Sequence, residues 1–360
     1  MFYNLKKNIP EYTILLLLLF IWQISSEVNP VGAVTLANSD SSLANSDSSL
    51  SNPESASKRL SLNEFTYAGD RRYTLDGSLP LSETKIKPLT ASIVGGIYLG
   101  AIVGLHINQR NAWWSDNRGA FHFQEDWFSA LQVDKAGHSF GSYIISYVLS
   151  EGLLASGVSY DASAIWGSAL ALAYQTYVET EDGFAKNWGF SPSDWYFDAI
   201  GASFFLAQHY NPFLQNITPK WQFVPSEWTG KPLILRPRTF IDDYNSSTFW
   251  WSVDVYNILG ENEKRYWPKW LNVAIGYGGD AIDANPDPNG PPDQLSVRRY
   301  ILGLDLNLIR LLPEGGWFWN WARQSLNYIK LPLPAVEFTE KGTRFYVFYP
   351  FRINLGSLKF

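Results

Sequence analysis

From Lys87 to Asn211 the apolar residues recur at helical spacing, and beyond Pro219 they alternate with small or polar ones. That change of period predicts an α+β protein. An N-terminal helical bundle, residues 85–215, precedes a C-terminal antiparallel β-sheet or partial barrel, residues 220–360. Within the first part, PLTASIVGGIYLGAIVGLHIN carries no charge between Leu89 and Ile107 and is long enough to cross a bilayer. The same stretch also suits a helix buried in a bundle. Gly96, Gly100 and Gly104 recur every four residues, a small-residue face that would let another helix approach closely. Further helices are predicted over Trp127–Leu154, Ala162–Val178 and Pro192–Tyr210. The last has the clearest start, with Ser191 as N-cap, Pro192 in the first turn and Asp194 near the exposed amides.

The alternating segments each have one large apolar face. FWWSVDVYNIL sets Phe249, Trp251, Val253 and Val255 against Ser252 and Asp254. WLNVAIGYGG sets Leu271, Val273, Ile275 and Tyr277 against Asn272, Ala274, Gly276 and Gly278, and RRYILGLDLNLI sets Tyr300, Leu302, Leu304, Leu306 and Leu308 against Gly303, Asp305 and Asn307. Soluble sandwiches show this alternation, and so do outer-membrane strands with lipid outside and a polar interior. About six to eight strands are predicted, fewer than a barrel of long strands needs. The final FYPFRINLGSLKF ends on Phe360, as outer-membrane proteins often do, though Gly356 interrupts the alternation.

The amino terminus adds an address. Lys6 and Lys7 precede the apolar run Tyr12–Ile24, and Val31-Gly32-Ala33 is a plausible cleavage site, so residues 1–33 are expected to be a signal peptide. LANSDSS at 36–42 returns at 43–49, and residues 34–60 are expected to be a disordered Ser/Asp/Asn-rich linker. Charged residues make up only 17% of the chain, aromatics 16%, and there are 16 tryptophans, a balance suited to a membrane interface. The net charge of −6 argues against a nucleic-acid partner. The absence of cysteine excludes thiol chemistry, Cys–zinc sites and a lipid carried on cysteine. A cell-envelope protein results, at the outer membrane or in the periplasm, with membrane lipid or a cell-wall component as the expected partner.

Candidate chemistry gathers around VDKAGHSFGSY. On a helix Asp134 and His138 lie one turn apart, with Lys135 beside them and Gly141 continuing the face. Asp194, Asp198 and Gly201 repeat that spacing, while Glu179, Glu181 and Asp182 fall where the intervening helix ends. The candidate catalytic set is therefore His138, Asp134, Glu179, Asp182 and Asp198. Such a set can bind a divalent metal, act as a general acid–base centre, or form a satisfied buried network that fixes helix register. Asp194 also has an ordinary role as a capping residue. No HExxH, GxSxG or phosphate-loop spacing occurs, so the sequence names neither metal nor cofactor. His106 and His122 carry weaker signals, and His209 suits a helix C-terminus. The loop at 278–294 could hold calcium through Asp280, Asp283 and Asp287, but it lacks the EF-hand pattern and reads as a hairpin loop.

AFHFQEDWFSALQVDKAGHSFGSY followed by VETEDGFAKNWGFSPSDWYFDAIGA resembles the envelope family called domain of unknown function 2279. The resemblance runs through FHFQEDW, D-K-x-G-H, E-x-x-DGF, then GFS-x2-D as they stand in this sequence. DYNSSTFWWS, KWLNVAIGYGGDA, RRYILGLDL and LPLPAVEF extend the likeness over most of 111–340. The resemblance implies a periplasmic or outer-membrane protein and no assigned activity. Without cysteine the lipoprotein label of that family does not carry over, and Asp198 stands where an amide is expected in many relatives. A looser D-K-x-x-H pattern is similar to VanZ-like membrane proteins. Two functions stay open: envelope upkeep or binding of lipid or cell wall, and a hydrolase, with or without metal, centred on His138.

Overall fold

Four long helices form where the apolar spacing is helical: α1 (Pro88–Gln109), α2 (Val133–Ala155), α3 (Tyr160–Gly183) and α4 (Pro192–Tyr210). The computed structural model describes residues 58–115, 117–229, 239–282, 296–355 and 358–359. The expected signal peptide, most of the linker, Asp283, Asp287 and Phe360 lie outside the described residues. Ser191 caps α4 as expected, its hydroxyl accepting from the Asp194 amide at 3.3 Å. The expected start of α2 at Trp127 is displaced. A 3₁₀ turn, Ser129–Gln132, intervenes, with Ala130, Leu131 and Gln132 all at positive φ (45°, 55° and 63°).

Helices α2, α3 and α4 pack on one another, and two glycines set the spacing. A Cβ at Gly201 would overlap the Ser139 carbonyl oxygen, and one at Gly167 would lie 2.8 Å from the Ser146 carbonyl oxygen. The other expected notch, Gly141, meets nothing closer than Gln175 Nε2 at 3.8 Å. The glycine face of α1 corrects the expectation of close helix packing: nothing lies within 4 Å of a Cβ built at Gly96, Gly100 or Gly104. Helix α1 instead runs beside the bundle. Its start is tied to the end of α2 by Lys87 N–Ser156 O, its middle by Tyr98 OH–Val148 O, and its end by Tyr177 OH–His106 Nδ1 on α3.

The alternating segments give a six-stranded antiparallel sheet in the order β3 (Ile217–Phe223), β4 (Ser247–Val253), β5 (Leu271–Asp280), β6 (Val297–Leu306), β7 (Ala335–Thr339) and β8 (Gly342–Tyr346). A small hairpin, β1 (Thr66–Tyr67) and β2 (Asp70–Arg71), turns through Ala68-Gly69, both at positive φ. The sheet is not a closed barrel. The lead-in to β7 touches the free edge of β3 through Trp221 N–Tyr328 O and Lys330 N–Trp221 O, and β3 does not pair with β8. Two expected strand residues are helical. Asp254 caps a short turn, α5 (Val255–Ile258), that removes Val255 from the β4 face, and Asn307 caps α7 (Leu308–Leu311), removing Leu308 from β6. Between these lies α6 (Glu261–Lys264), and α8 (Trp317–Leu326) follows.

The two faces of the sheet differ in cover and in composition. Trp251, Ile275, Leu302, Val336 and Phe345 pair across β4–β8 in one apolar row, and the neighbouring row holds Phe249, Tyr277, Tyr300 and Phe338. Helices cover the β3–β4 end of this face, through Phe140 on Phe249 and Phe204 on Trp251. Toward β8 it is exposed, at Ile275, Tyr300, Leu302, Phe338 and Phe345. The opposite face is buried and mixed: Trp250, Ala274, Ile301, Ala335 and Tyr346 form an apolar cluster there, beside buried charged groups. Lys220 Nζ pairs with Asp305 Oδ2 at 2.7 Å, and Arg299 donates to the Tyr349 hydroxyl, which donates on to Glu337. Gly276 is small because the Trp250 ring lies across it, 2.7 Å from where a Cβ would sit.

Candidate functional site

The polar residues of the bundle converge at one end, where α2 begins, α3 ends and α4 begins. Asp134, Lys135 and His138 come from the first turns of α2, Gln175, Glu179 and Asp182 from the last turns of α3, and Asp194 and Asp198 from the first turns of α4. The left-handed turn before α2 aims this group. Left-handed backbone costs a non-glycine residue roughly 1–2 kcal/mol. Here it is held from the sheet: Tyr277 OH donates to the Leu131 carbonyl, and Arg298 Nη2 donates to Gln132 Oε1 at 2.9 Å. Strain of this kind persists where surroundings over-determine it.

His138 stands between two pairs of carboxylates. Its Nδ1 lies 3.1 Å from Asp198 Oδ1 and 3.8 Å from Glu179 Oε1. Its Nε2 lies 3.6 Å from Asp134 Oδ1 and 3.7 Å from Asp194 Oδ1. The imidazole keeps 20% of its surface accessible, whereas Asp198 has none. Three of the four carboxylates are also held by hydrogen bonds from outside. Tyr244 OH donates to Asp134 at 2.7 Å, Gln175 Nε2 to Asp198 Oδ1 at 2.7 Å, and the Ser191 amide to Glu179 at 3.2 Å. Asp198 Oδ2, fully buried, has no hydrogen-bond partner among the described residues.

Lys135 forms the second knot. Almost wholly buried, its ammonium lies 2.5 Å from Asp126, 2.5 Å from Asp194 and 3.1 Å from Asp134. Asp126 is brought in by the FHFQEDWF loop and is tied to α4 by the Ser191 hydroxyl at 2.6 Å.

The charges shift one another. Burial raises Asp134, but His138 and Lys135 outweigh it and hold the carboxyl below its usual range. Burial raises Asp194, and the neighbouring Asp134 raises it further. Burial likewise pushes Glu179 and Asp182 up. Burial disfavours the His138 cation, yet Asp198, Asp194 and Asp134 together lift its pKa well above the ordinary value. Two donor sets have metal-ligand character, Asp134/His138/Asp194 and His138/Glu179/Asp198, their atoms within 4.8 Å of one another in each. Lys135 already occupies the first. No cationic side chain among the described residues pairs with Glu179 or Asp198 except His138.

Of the sequence candidates, His138, Asp134, Glu179 and Asp198 are brought together. Asp182 stands aside, accepting from Trp114 Nε1 at 2.7 Å and making no ion pair with His138. Sequence reasoning took Asp194 for a cap, left Asp126 as a bare member of the FHFQEDW motif, and missed Gln175 and Tyr244. The local signals for Asp194 were its helical spacing to Asp198 and its place in GFS-x2-D. His209 pairs with Asp161 at 2.7 Å and lines a separate cavity of about 480 Å³. Asp280 ends β5, away from these helices in sequence.

Residues 123–209, from the FHFQEDWF loop to the end of α4, match the model of a family described as "Predicted periplasmic lipoprotein (DUF2279)". The match falls on every helix that builds the His138 centre, and its description supports an address in the cell envelope. No curated protein and no solved structure matches the chain.

Proposed function

We propose that this envelope protein, with its DUF2279 segment, is a divalent-cation-dependent hydrolase acting on envelope lipid or polymer. The observation that carries it is a charge imbalance. The carboxylates of Asp126, Asp134, Glu179, Asp182, Asp194 and Asp198 meet only Lys135 and His138 among the described cations. Without a cation the excess acid is held toward its neutral form, since burial raises Glu179, Asp182 and Asp194, and a divalent ion would let such groups ionise as ligands. His138, Glu179 and Asp198 would hold such a cation, which would restore the balance, and the buried Asp198 Oδ2 is without a hydrogen-bond partner among the described residues. His138 Nε2 then faces Asp134, which orients the ring as a carboxylate partner orients a metal-bound imidazole.

A bound cation supplies an activated water. The chain supplies the proton groups. Asp134, held low, and Asp194, raised by burial, form a split pair of the kind that serves as base and acid. The observation favouring a second reading, a charge-locked seam for envelope upkeep or ligand binding, is the three-way grip on Lys135. The test is hydrolysis of ester and phosphoester lipids by the purified full chain, before and after chelation. Activity restored by manganese or zinc in the wild type but not in His138→Ala supports the hydrolase. Cation binding without turnover on any of these lipids favours the seam or binding role.

A further inference from the structure

Helix α1 is apolar on every side and almost bare. No part of its most apolar eighteen-residue window is buried, and Leu89, Ile93, Leu99, Ile102, Val103 and Ile107 are all exposed. At 22 residues and roughly 1.5 Å per residue it is about 33 Å long, close to a bilayer's hydrocarbon thickness. Lys85 and Lys87 precede the uncharged stretch and Arg110 follows it. We infer that α1 is inserted in a lipid bilayer and that the His138 end of the bundle lies at the headgroup level.

The occupant follows from the shape of the exposed surface. A protein partner covers one stripe of a helix, and α1 has no stripe to offer, since its glycine face is as open as the rest. Lipid covers a circumference. The apolar surface also continues past α1: Ile165, Trp166 and Leu170 on the outer side of α3, Ile200 on α4, and the open rows of the sheet are exposed. Between Ala162 and Val178, α3 carries no charged residue. Exposed apolar surface of this extent exceeds what soluble monomers tolerate.

The depth of the site follows from where α1 ends. Its last turns contact the end of α3 at Tyr177, and the π-helical turn after it places Trp114 Nε1 on Asp182. The His138 cluster therefore lies just beyond the C-terminal limit of the apolar span. Around that level the FHFQEDWF loop exposes Phe121, Phe123, Trp127 and Phe128, the last at 78%, while its Asp126 reaches in to Lys135. Exposed aromatic rings flanking a polar centre match an interfacial belt. The placement adds a substrate class to the hydrolase reading, and rests on it only there: a membrane amphiphile whose polar group meets the site at the interface.

The chain has no cysteine, so single labels can be introduced without removing any. Leu99→Cys, Ile102→Cys, Phe128→Cys and Glu261→Cys, each in the full chain, take an environment-sensitive fluorophore and are reconstituted in phosphatidylethanolamine/phosphatidylglycerol vesicles. Labels at 99 and 102 should be quenched several-fold more by acyl-chain nitroxide lipid than by aqueous iodide. The label at 128 should respond most to headgroup nitroxide, and that at 261 to iodide alone. Labels at 99 and 102 as open to iodide as 261, or shielded from every quencher, overturn the insertion. Deep labels on α1 with a purely aqueous 128 overturn the interfacial placement. Chelation leaves all four depths unchanged, so failure of the hydrolase reading is separable from failure here.

Discussion

Replacing Lys135 by methionine keeps the length of the side chain and removes the charge that three carboxylates share. In the folded protein the ammonium is 1% exposed and contacts Asp126, Asp194 and Asp134 at 2.5, 2.5 and 3.1 Å. Breaking a buried ion pair by deleting one partner costs about 3–5 kcal/mol. At about 2–4 °C per kcal/mol for a domain of this class, Lys135→Met should lower Tm by roughly 6–20 °C. The assay is thermal unfolding of the purified full chain in detergent micelles, with Lys135→Arg alongside as the charge-preserving control. The arginine variant should lose much less, though its planar fork fits a three-way grip poorly. A methionine variant within about 2 °C of wild type, on the same conversion, would refute the reasoning, because the carboxylates would then need no cation.

Gly201→Ala should destabilise by about 1–3 kcal/mol, since α2 and α4 must part at Ser139; Gly104→Ala, mid-helix with nothing near it, should range from neutral to stabilising by about 1 kcal/mol, both read as Tm in detergent. In chelated protein, stability should fall as pH rises from about 5 toward alkaline values. Glu179, Asp182 and Asp194 have raised folded pKa values, so the folded state holds protons that the unfolded state has released above its ordinary carboxylate pKa of about 4, and their contribution is lost as pH rises. His138, also raised, adds the same sign: its contribution is complete below the ordinary value of 6.5 and lost above it. Asp134, held low, acts oppositely and loses its contribution below 3.8. A Tm that climbs steadily through this range without cation would contradict those shifts. Native membranes washed with alkaline carbonate should retain the protein; complete release would argue against lipid contact of α1 and the sheet.

The period of the apolar residues was enough to place four helices and the sheet, because burial of a stripe or a face leaves a repeating imprint. It failed where capping overrode it. Val255 and Leu308 continue the alternation, but Asp254 and Asn307 supply side-chain oxygens to free amides and turn the chain helical. The start of α2 was equally hidden, since three left-handed non-glycine residues are fixed by Tyr277 and Arg298, far along the chain. The glycine repeat in α1 was legible as a helix face and misleading about a partner. In the site, the DKxGH spacing gave Asp134 and His138, and the matching spacing on α4 gave Asp198. The partners from elsewhere, Asp126, Gln175 and Tyr244, are set by tertiary packing and have no sequence period to betray them. Alternation also could not say which face of the sheet is buried. Only the packing shows that the face with Trp250, Ile301 and Lys220 is inside, and that the aromatic rows are covered by helices at one end and open toward β8.

The most direct test of the cation centre is a titration of the chelated full-length protein with manganese or zinc, followed by isothermal calorimetry, for wild type, Asp198→Asn and His138→Ala. The account predicts one saturable site per chain, weakened at least ~10-fold by Asp198→Asn and abolished by His138→Ala, in line with the effects expected of metal-site partners. Equal binding by all three proteins, or none by the wild type, would contradict it.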